Sequence, residues 1–351
     1  MDPKLDRTAI REFIRRMPKA ELHLHMEGAV QPSTWLKLAE RNGIRLPADT
    51  PEALNEVFQF RDFDHFIELY TLCCTCLVNA DDFRLATYEL LSNLAEQNVR
   101  YAEIFLSPTL HLARGVKWDT IMEGVSAARR DGERDFGIQT AFIPDISREL
   151  GPEKGLEVAR HVAKSAQFGV IGLGIGGPEI GFPPDDYWES FDLIGEAGLH
   201  RLAHAGETMG PESIWGALKA LNAERIGHGV RCLEDEALVA YLREKQIPLE
   251  VCPSSNVCTG VSESWAAHPL KQLMDAGLLV TLNSDDPGLF STTLTEEYLR
   301  AQETFDLSLE EITELALNAL RASFLNAENK RKRIAEFEAE FARLRGELVP
   351  V

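Results

Sequence analysis

Short apolar runs alternate along this chain with longer stretches whose apolar residues recur every three or four positions. The runs lie at Ala20–Glu27, Val99–Leu106, Ile138–Pro144, Gly169–Ile175, Leu199–His204, Arg225–His228, Ile247–Cys252 and Leu278–Asn283. Their β-rich content, and the Gly, Pro or Asn that introduces or ends most of them, predicts eight strands. Helical spacing marks the stretches between them: Tyr88–Gln97, Trp118–Arg130, Glu153–Ala166, Asp185–Ala197, Pro211–Leu221, Glu234–Lys245 and Pro269–Ala276.

Strand and helix alternating eight times predicts an α/β fold with a parallel sheet, and eight repeats favour a closed (β/α)8 TIM barrel. The competing architecture is an open doubly wound sheet, but the Gly-rich dinucleotide turn common in such sheets does not follow the first strand. Two regions fall outside the repeat. A helical insertion of about residues 31–97 follows the first strand, and extra C-terminal helices, about Ser308–Phe324 and Ala327–Leu348, follow the eighth. With no linker and no low-complexity segment, residues 1–351 read as a single domain.

Composition adds mainly exclusions. Thirty-six Lys and Arg stand against 56 Asp and Glu, a formal charge of -20. That surface repels phosphate backbones and anionic lipid, so neither nucleic acid nor membrane is expected as a partner. Met1 to Met17 is charged throughout, and no run of about 18 apolar residues occurs elsewhere, so neither a signal peptide nor a membrane span is expected. The six cysteines, at 73, 74, 76, 232, 252 and 258, follow neither zinc-site nor disulfide spacing. Cys73, Cys74 and Cys76 read as buried free thiols in a helix. A cytoplasmic location is expected, and the oligomeric state is left open.

Candidate chemistry gathers at strand ends, where a barrel places its active site. His23 and His25, two apart on the first strand, project to one side, and both can reach a single cation. Taken alone, the pair could equally be two satisfied polar residues. The fifth strand ends in His204-Ala205-Gly206-Glu207. Glycines flank His228 on the sixth and leave room for a ligand to approach, although a neighbouring carbonyl could satisfy that histidine. The eighth strand ends in Asn283-Ser284-Asp285-Asp286-Pro287; its adjacent acids would be costly to bury unpaired, or could cap a helix. Together His23, His25, His204 and Asp285 make a candidate mononuclear site of N and O ligands with room for water, for which zinc, one per chain, is the natural ion.

Five segments, in order and covering nearly the whole chain, resemble the adenosine and adenine deaminases of the amidohydrolase superfamily. They are Pro18–Gly28, His204–Glu207, Arg225–Val230, Cys252–Asn256 and Asn283–Pro287. The resemblance implies a zinc-dependent aminohydrolase of purine metabolism that removes ammonia from C6. It implies metal ligation by His23, His25, His204 and Asp285, protonation of purine N1 by Glu207, and orientation or deprotonation of the attacking water by His228. Substrate contacts are implied for His25, for Asp286 at N7 and for the backbone N–H of Gly177 at N3. The chemistry is consistent with this, since attack on an aromatic carbon calls for activated water and for a neutral carboxyl at the ring nitrogen.

Two departures bear on the substrate. Family adenosine deaminases usually carry Asp where Glu27 stands, to meet the ribose 5′-hydroxyl; Glu there resembles the adenine branch, whereas Cys252-Pro253-Ser254-Ser255-Asn256 resembles the nucleoside branch. On the fourth strand, Gly174 stands where the family usually has Asp and Pro178 where it has an acid, which predicts an enlarged or drier pocket floor. Phe60, Phe63, Phe66 and Tyr70 read as core packing, or else as an apolar lid on the sugar side. His65, His111, His161, His200 and His268 read as structural or surface residues.

The leading expectation is hydrolytic deamination of adenosine and 2′-deoxyadenosine, with a purine nucleoside as the small-molecule partner. The alternative is another 6-aminopurine: adenine, or a 5′-modified adenosine such as aminodeoxyfutalosine, methylthioadenosine or S-adenosylhomocysteine. Two-metal amide or phosphoester hydrolysis on the same superfold would call for a bridging Lys at a strand end, and none is seen.

Overall fold

A computed structural model describes residues 7–348; the first six residues of the charged N-terminal stretch lie outside it. Eight parallel strands run in sequence order: β1 (Lys19–His25), β2 (Val99–Leu106), β3 (Gln139–Ser147), β4 (Gly172–Gly176), β5 (His200–Ala205), β6 (Arg225–His228), β7 (Leu249–Val251) and β8 (Val280–Leu282). The ring closes just beyond β8. There the N–H of His25 donates to the carbonyl of Asp285 at 2.8 Å, and the N–H of Asp285 donates to that of His23 at 3.1 Å. The fold is a (β/α)8 barrel, as the alternation predicts.

Most helices fall where the spacing places them, between strands and packed on the outside of the ring. Asp185–Ala197 divides into a 3-10 turn at Pro184–Tyr187 and a helix at Trp188–Glu196. The insertion folds as four helices, Pro32–Asn42, Pro51–Val57, Phe63–Cys74 and Ala80–Glu96. Polar caps start three of them: Thr50, Asp62 and Asn79 accept from backbone N–H groups of the first turn, which supplies donors that lack an intrahelical partner. Cys73, Cys74 and Cys76 are buried free thiols, as expected. After β8 there are three helices rather than two, because Leu294–Phe305 precedes Leu309–Ala322 and Ala327–Leu348. Among the described residues no helix is long and apolar enough to cross a membrane.

Arg225 on β6 lies inside the barrel, its guanidinium between Glu103 of β2 and Glu250 of β7 at 2.6 Å each. The one positive charge offsets part of the cost of burying the two carboxylates and links three strands.

Candidate active site

His23 and His25 reach the C-terminal mouth from β1, His204 from β5 and Asp285 from the chain just past β8. Oδ1 of Asp285 lies 3.4 Å from Nε2 of His23 and 3.3 Å from Nε2 of His25, while Nε2 of His25 and His204 are 3.2 Å apart. Partners behind the rings fix two tautomers. Nδ1 of His23 donates to Glu250 Oε2 at 2.8 Å, and Nδ1 of His204 donates to the carbonyl of Ile175 at 3.0 Å. Both therefore turn unprotonated Nε2 atoms toward the same point, and Nε2 of His23 is buried without a hydrogen-bond partner. Converging lone pairs of this kind repel unless a cation lies among them. The four side chains offer donor atoms all within 4.8 Å of one another, so the residues fit a single divalent ion.

Local backbone and packing make this convergence possible. His228 and Asp285 adopt left-handed φ values of 59° and 62°, a strained conformation for side-chain-bearing residues and one that concentrates at functional sites. A β-carbon on Gly227 would lie 2.8 Å from Cε1 of His23, and one on Gly28 would lie 1.6 Å from Oδ1 of Asp286. Glycine thus admits both functional groups. Gly177, at φ 89°, turns the chain after β4 and lines the cavity.

The cavity above the cluster brings together His25, Gly177, His204, Glu207, His228, Asp285 and Asp286. Nε2 of His228 lies 3.7 Å from Glu207 and 3.7 Å from Oδ2 of Asp285. Burial, reinforced by Asp285, pushes the carboxyls of Glu207 and Asp286 well above the usual range, which favours their neutral, proton-donating forms. Burial holds His228 down at about 3.

Glu27 is not among the residues lining this cavity. Its Oε1 accepts from the N–H of Ser107 at 3.0 Å and from Nε2 of His111 at 2.9 Å, behind the wall. One oxygen of Glu27 is thus held at β2's exit loop, while its Oε2 is buried without a hydrogen-bond partner. His111, read as structural or surface, is its buried partner. Gly174 differs from expectation. The space is not enlarged, because Oδ1 of Asp145 on β3 lies 1.8 Å from where a β-carbon on Gly174 would stand. Of the insertion aromatics, Phe63, Phe66 and Tyr70 line the cavity, while Phe60 packs edge-on against Phe66 and Phe290. They are wall and packing at once.

Several residues in the site went unassigned at the sequence level. Asp145 stands immediately after the predicted third strand, the position that marked the other acids. Glu250 is a lone acid between Leu249 and Val251, a signal of a buried partner. Glu179 accepts from the N–H groups of Gly206, Glu207, Thr208 and Met209 at 2.7–3.2 Å and clamps the segment that carries Glu207. Arg148, fully buried, donates to the carbonyls of Gly176, Phe182 and His204 and ties three strand ends together.

The adenosine deaminase family model matches residues 18–339. The chain belongs to that family. An adenine deaminase of Chlorobium phaeobacteroides is 41% identical over 325 residues, covering 92% of this chain and 96% of the relative. An aminodeoxyfutalosine deaminase of Streptomyces avermitilis is 41% identical over 331 residues, covering 94% and 92%. A solved amidohydrolase from Burkholderia ambifaria with bound Zn superposes with a TM-score of 0.90 at 28% identity, covering 99% of this chain and 98% of that one. This member of the adenosine deaminase family is a metal-dependent aminohydrolase acting on a 6-aminopurine, and its cofactor is zinc.

Proposed function

We propose that the chain, acting as one catalytic unit, deaminates an adenosine whose 5′ position carries a neutral, largely apolar substituent. The supporting observation is the sugar side of the cavity. Oε1 of Glu27 is taken up by Ser107 and His111, and Phe63, Phe66, Ile67, Leu110 and Ile146 line the wall. Neither Lys nor Arg is among the described lining residues, which disfavours a nucleotide phosphate. The Chlorobium relative's name supports a second reading, adenine itself.

In this proposal His23, His25, His204 and Asp285 hold the zinc, which when bound supplies a Lewis acid that makes water nucleophilic near neutral pH. His25 also borders the substrate. Neutral Glu207 gives its proton to N1, and neutral Asp286 donates at N7, which can only accept. The N–H of Gly177 meets N3. Water's oxygen bonds to C6 and loses one proton to a group beside it, His228 or Asp285. The C6–N6 bond then breaks, ammonia leaves with that proton, and the hydroxyl proton on C6 returns to Glu207.

Ammonia release from adenosine, deoxyadenosine, adenine, AMP, methylthioadenosine, S-adenosylhomocysteine and aminodeoxyfutalosine tests the reading. Highest kcat/KM is expected on methylthioadenosine, whose 5′ substituent is neutral and apolar; a preference for S-adenosylhomocysteine or aminodeoxyfutalosine, which carry ionised groups there, would overturn the neutral, apolar part of the reading. A preference for adenosine would overturn this reading, and a preference for adenine would establish the second one.

A further inference from the structure

The backbone N–H of Leu270 donates to Nδ1 of His268 at 3.1 Å. A main-chain N–H can only donate, so this Nδ1 carries no proton and the proton of His268 resides on Nε2. That Nε2 donates to Oδ1 of Asn256 at 3.0 Å. Asn256 must then turn its amide nitrogen to Nδ1 of His228, 3.2 Å away, and donate to it. Nδ1 of His228 is thus an acceptor, and its one proton lies on Nε2, the atom facing Glu207 and Asp285. His228, Asn256 and His268 are all buried, so solvent does not compete for these bonds.

We propose that Leu270, His268 and Asn256 form a one-way hydrogen-bond relay that holds His228 as its Nε2–H tautomer, making it a donor to the incoming oxygen rather than a base. Asn256 and His268 are positioning residues that act through His228. The consequence for catalysis rests on the deamination proposed above, whereas the place of the proton is a property of the chain by itself. As water's oxygen bonds to C6, its proton goes to Oδ2 of Asp285, because Nε2 of His228 has no free lone pair. The proton later departs with the amine when the C6–N6 bond breaks, which restores the carboxylate.

The test uses zinc-loaded, 15N-histidine-labelled protein, with long-range 1H–15N correlation spectra in which His228 is assigned by its loss in His228→Gln. Nε2 is expected at the frequency of a protonated nitrogen and Nδ1 at that of an unprotonated one. His268→Gln still offers an N–H to Asn256 and should keep the tautomer, with kcat within about threefold of the parent. Once ionised, at a pH above its raised pKa, His268→Glu can only accept, so there Asn256 turns over, the proton of His228 moves to Nδ1, and kcat falls about a hundredfold with KM and zinc content unchanged, the scale of a misplaced catalytic proton. An unprotonated Nε2 in the parent protein, or equal losses in the Gln and Glu variants, would overturn the relay. If His268→Glu does not fold, the spectra of the parent and of His268→Gln still decide. Absence of 6-aminopurine turnover with the expected spectrum would count against the proposed function and leave the relay standing.

Discussion

The carboxyl of Asp145 occupies the space that a side chain at Gly174 would need: a β-carbon there would lie 1.8 Å from Oδ1. An acid on β3 thus stands beside a glycine on β4, where the resemblance places the acid on β4 itself. The two positions are coupled by volume. Gly174→Ala should therefore cost about 1–3 kcal/mol, the usual range for overpacking a filled core, and Asp145→Ala added to it should recover most of that loss. Urea denaturation measures both; a Gly174→Ala protein as stable as its parent would show that Asp145 moves aside freely.

Glu207 provides the clearest catalytic prediction. Burial pushes its carboxyl well above the ordinary range. The neutral acid then persists through neutral pH, and turnover should fall only as pH rises through that elevated value. Glu207→Gln should retain zinc and lose about 10²- to 10⁴-fold in kcat, since an amide does not transfer the proton. Metal analysis and pH profiles on the same samples check this, and loss of zinc in the variant would reassign Glu207 to the metal.

Glu250 should set how tightly zinc is held. Its Oε2 takes the Nδ1 proton of His23 at 2.8 Å and so directs the opposite nitrogen at the ion. Glu250→Gln is expected to weaken zinc binding about 10- to 100-fold in competition with a chelator. An unchanged affinity would mean that the ring is held by packing alone.

Stability should depend on pH through Glu297. Burial raises its carboxyl from 4.5 to about 7, although it accepts from the N–H of Ser254 at 3.1 Å and from Thr292 Oγ1 at 2.6 Å. Between those pH values the folded chain keeps a proton that the unfolded chain releases, so stability falls as pH rises from 4.5 to 7. One such group accounts for about 3 kcal/mol of that fall. Glu297→Gln cannot ionise and should gain on its parent between pH 5 and pH 8. Thermal melts across that range measure the difference, and parallel curves would refute it.

The barrel was legible because strand and helix periods differ sharply and alternate eight times. His23, His25, His204, Glu207, His228, Asp285 and Asp286 were legible because polar residues at the ends of apolar strands have few other uses. The hold on Glu27 was not legible, since nothing local shows that His111, 84 residues away, would bond to it. Likewise the filling of the gap at Gly174 by Asp145 depends on the register of two neighbouring strands. The helix Leu294–Phe305 went unread although its N-cap, Thr293, is a local signal. What escaped at Glu27 and Gly174 is a contact between distant segments, which periodicity does not encode.

The cavity's two sides have different origins. One is made of strand ends, with Glu207 on a segment clamped by Glu179 and Asp285 bonded into β1. The other takes Phe63, Phe66, Ile67, Tyr70 and Thr71 from one short helix of the insertion. Much of the apolar wall is therefore free to vary in inheritance, through one helix, without disturbing the groups at the strand ends.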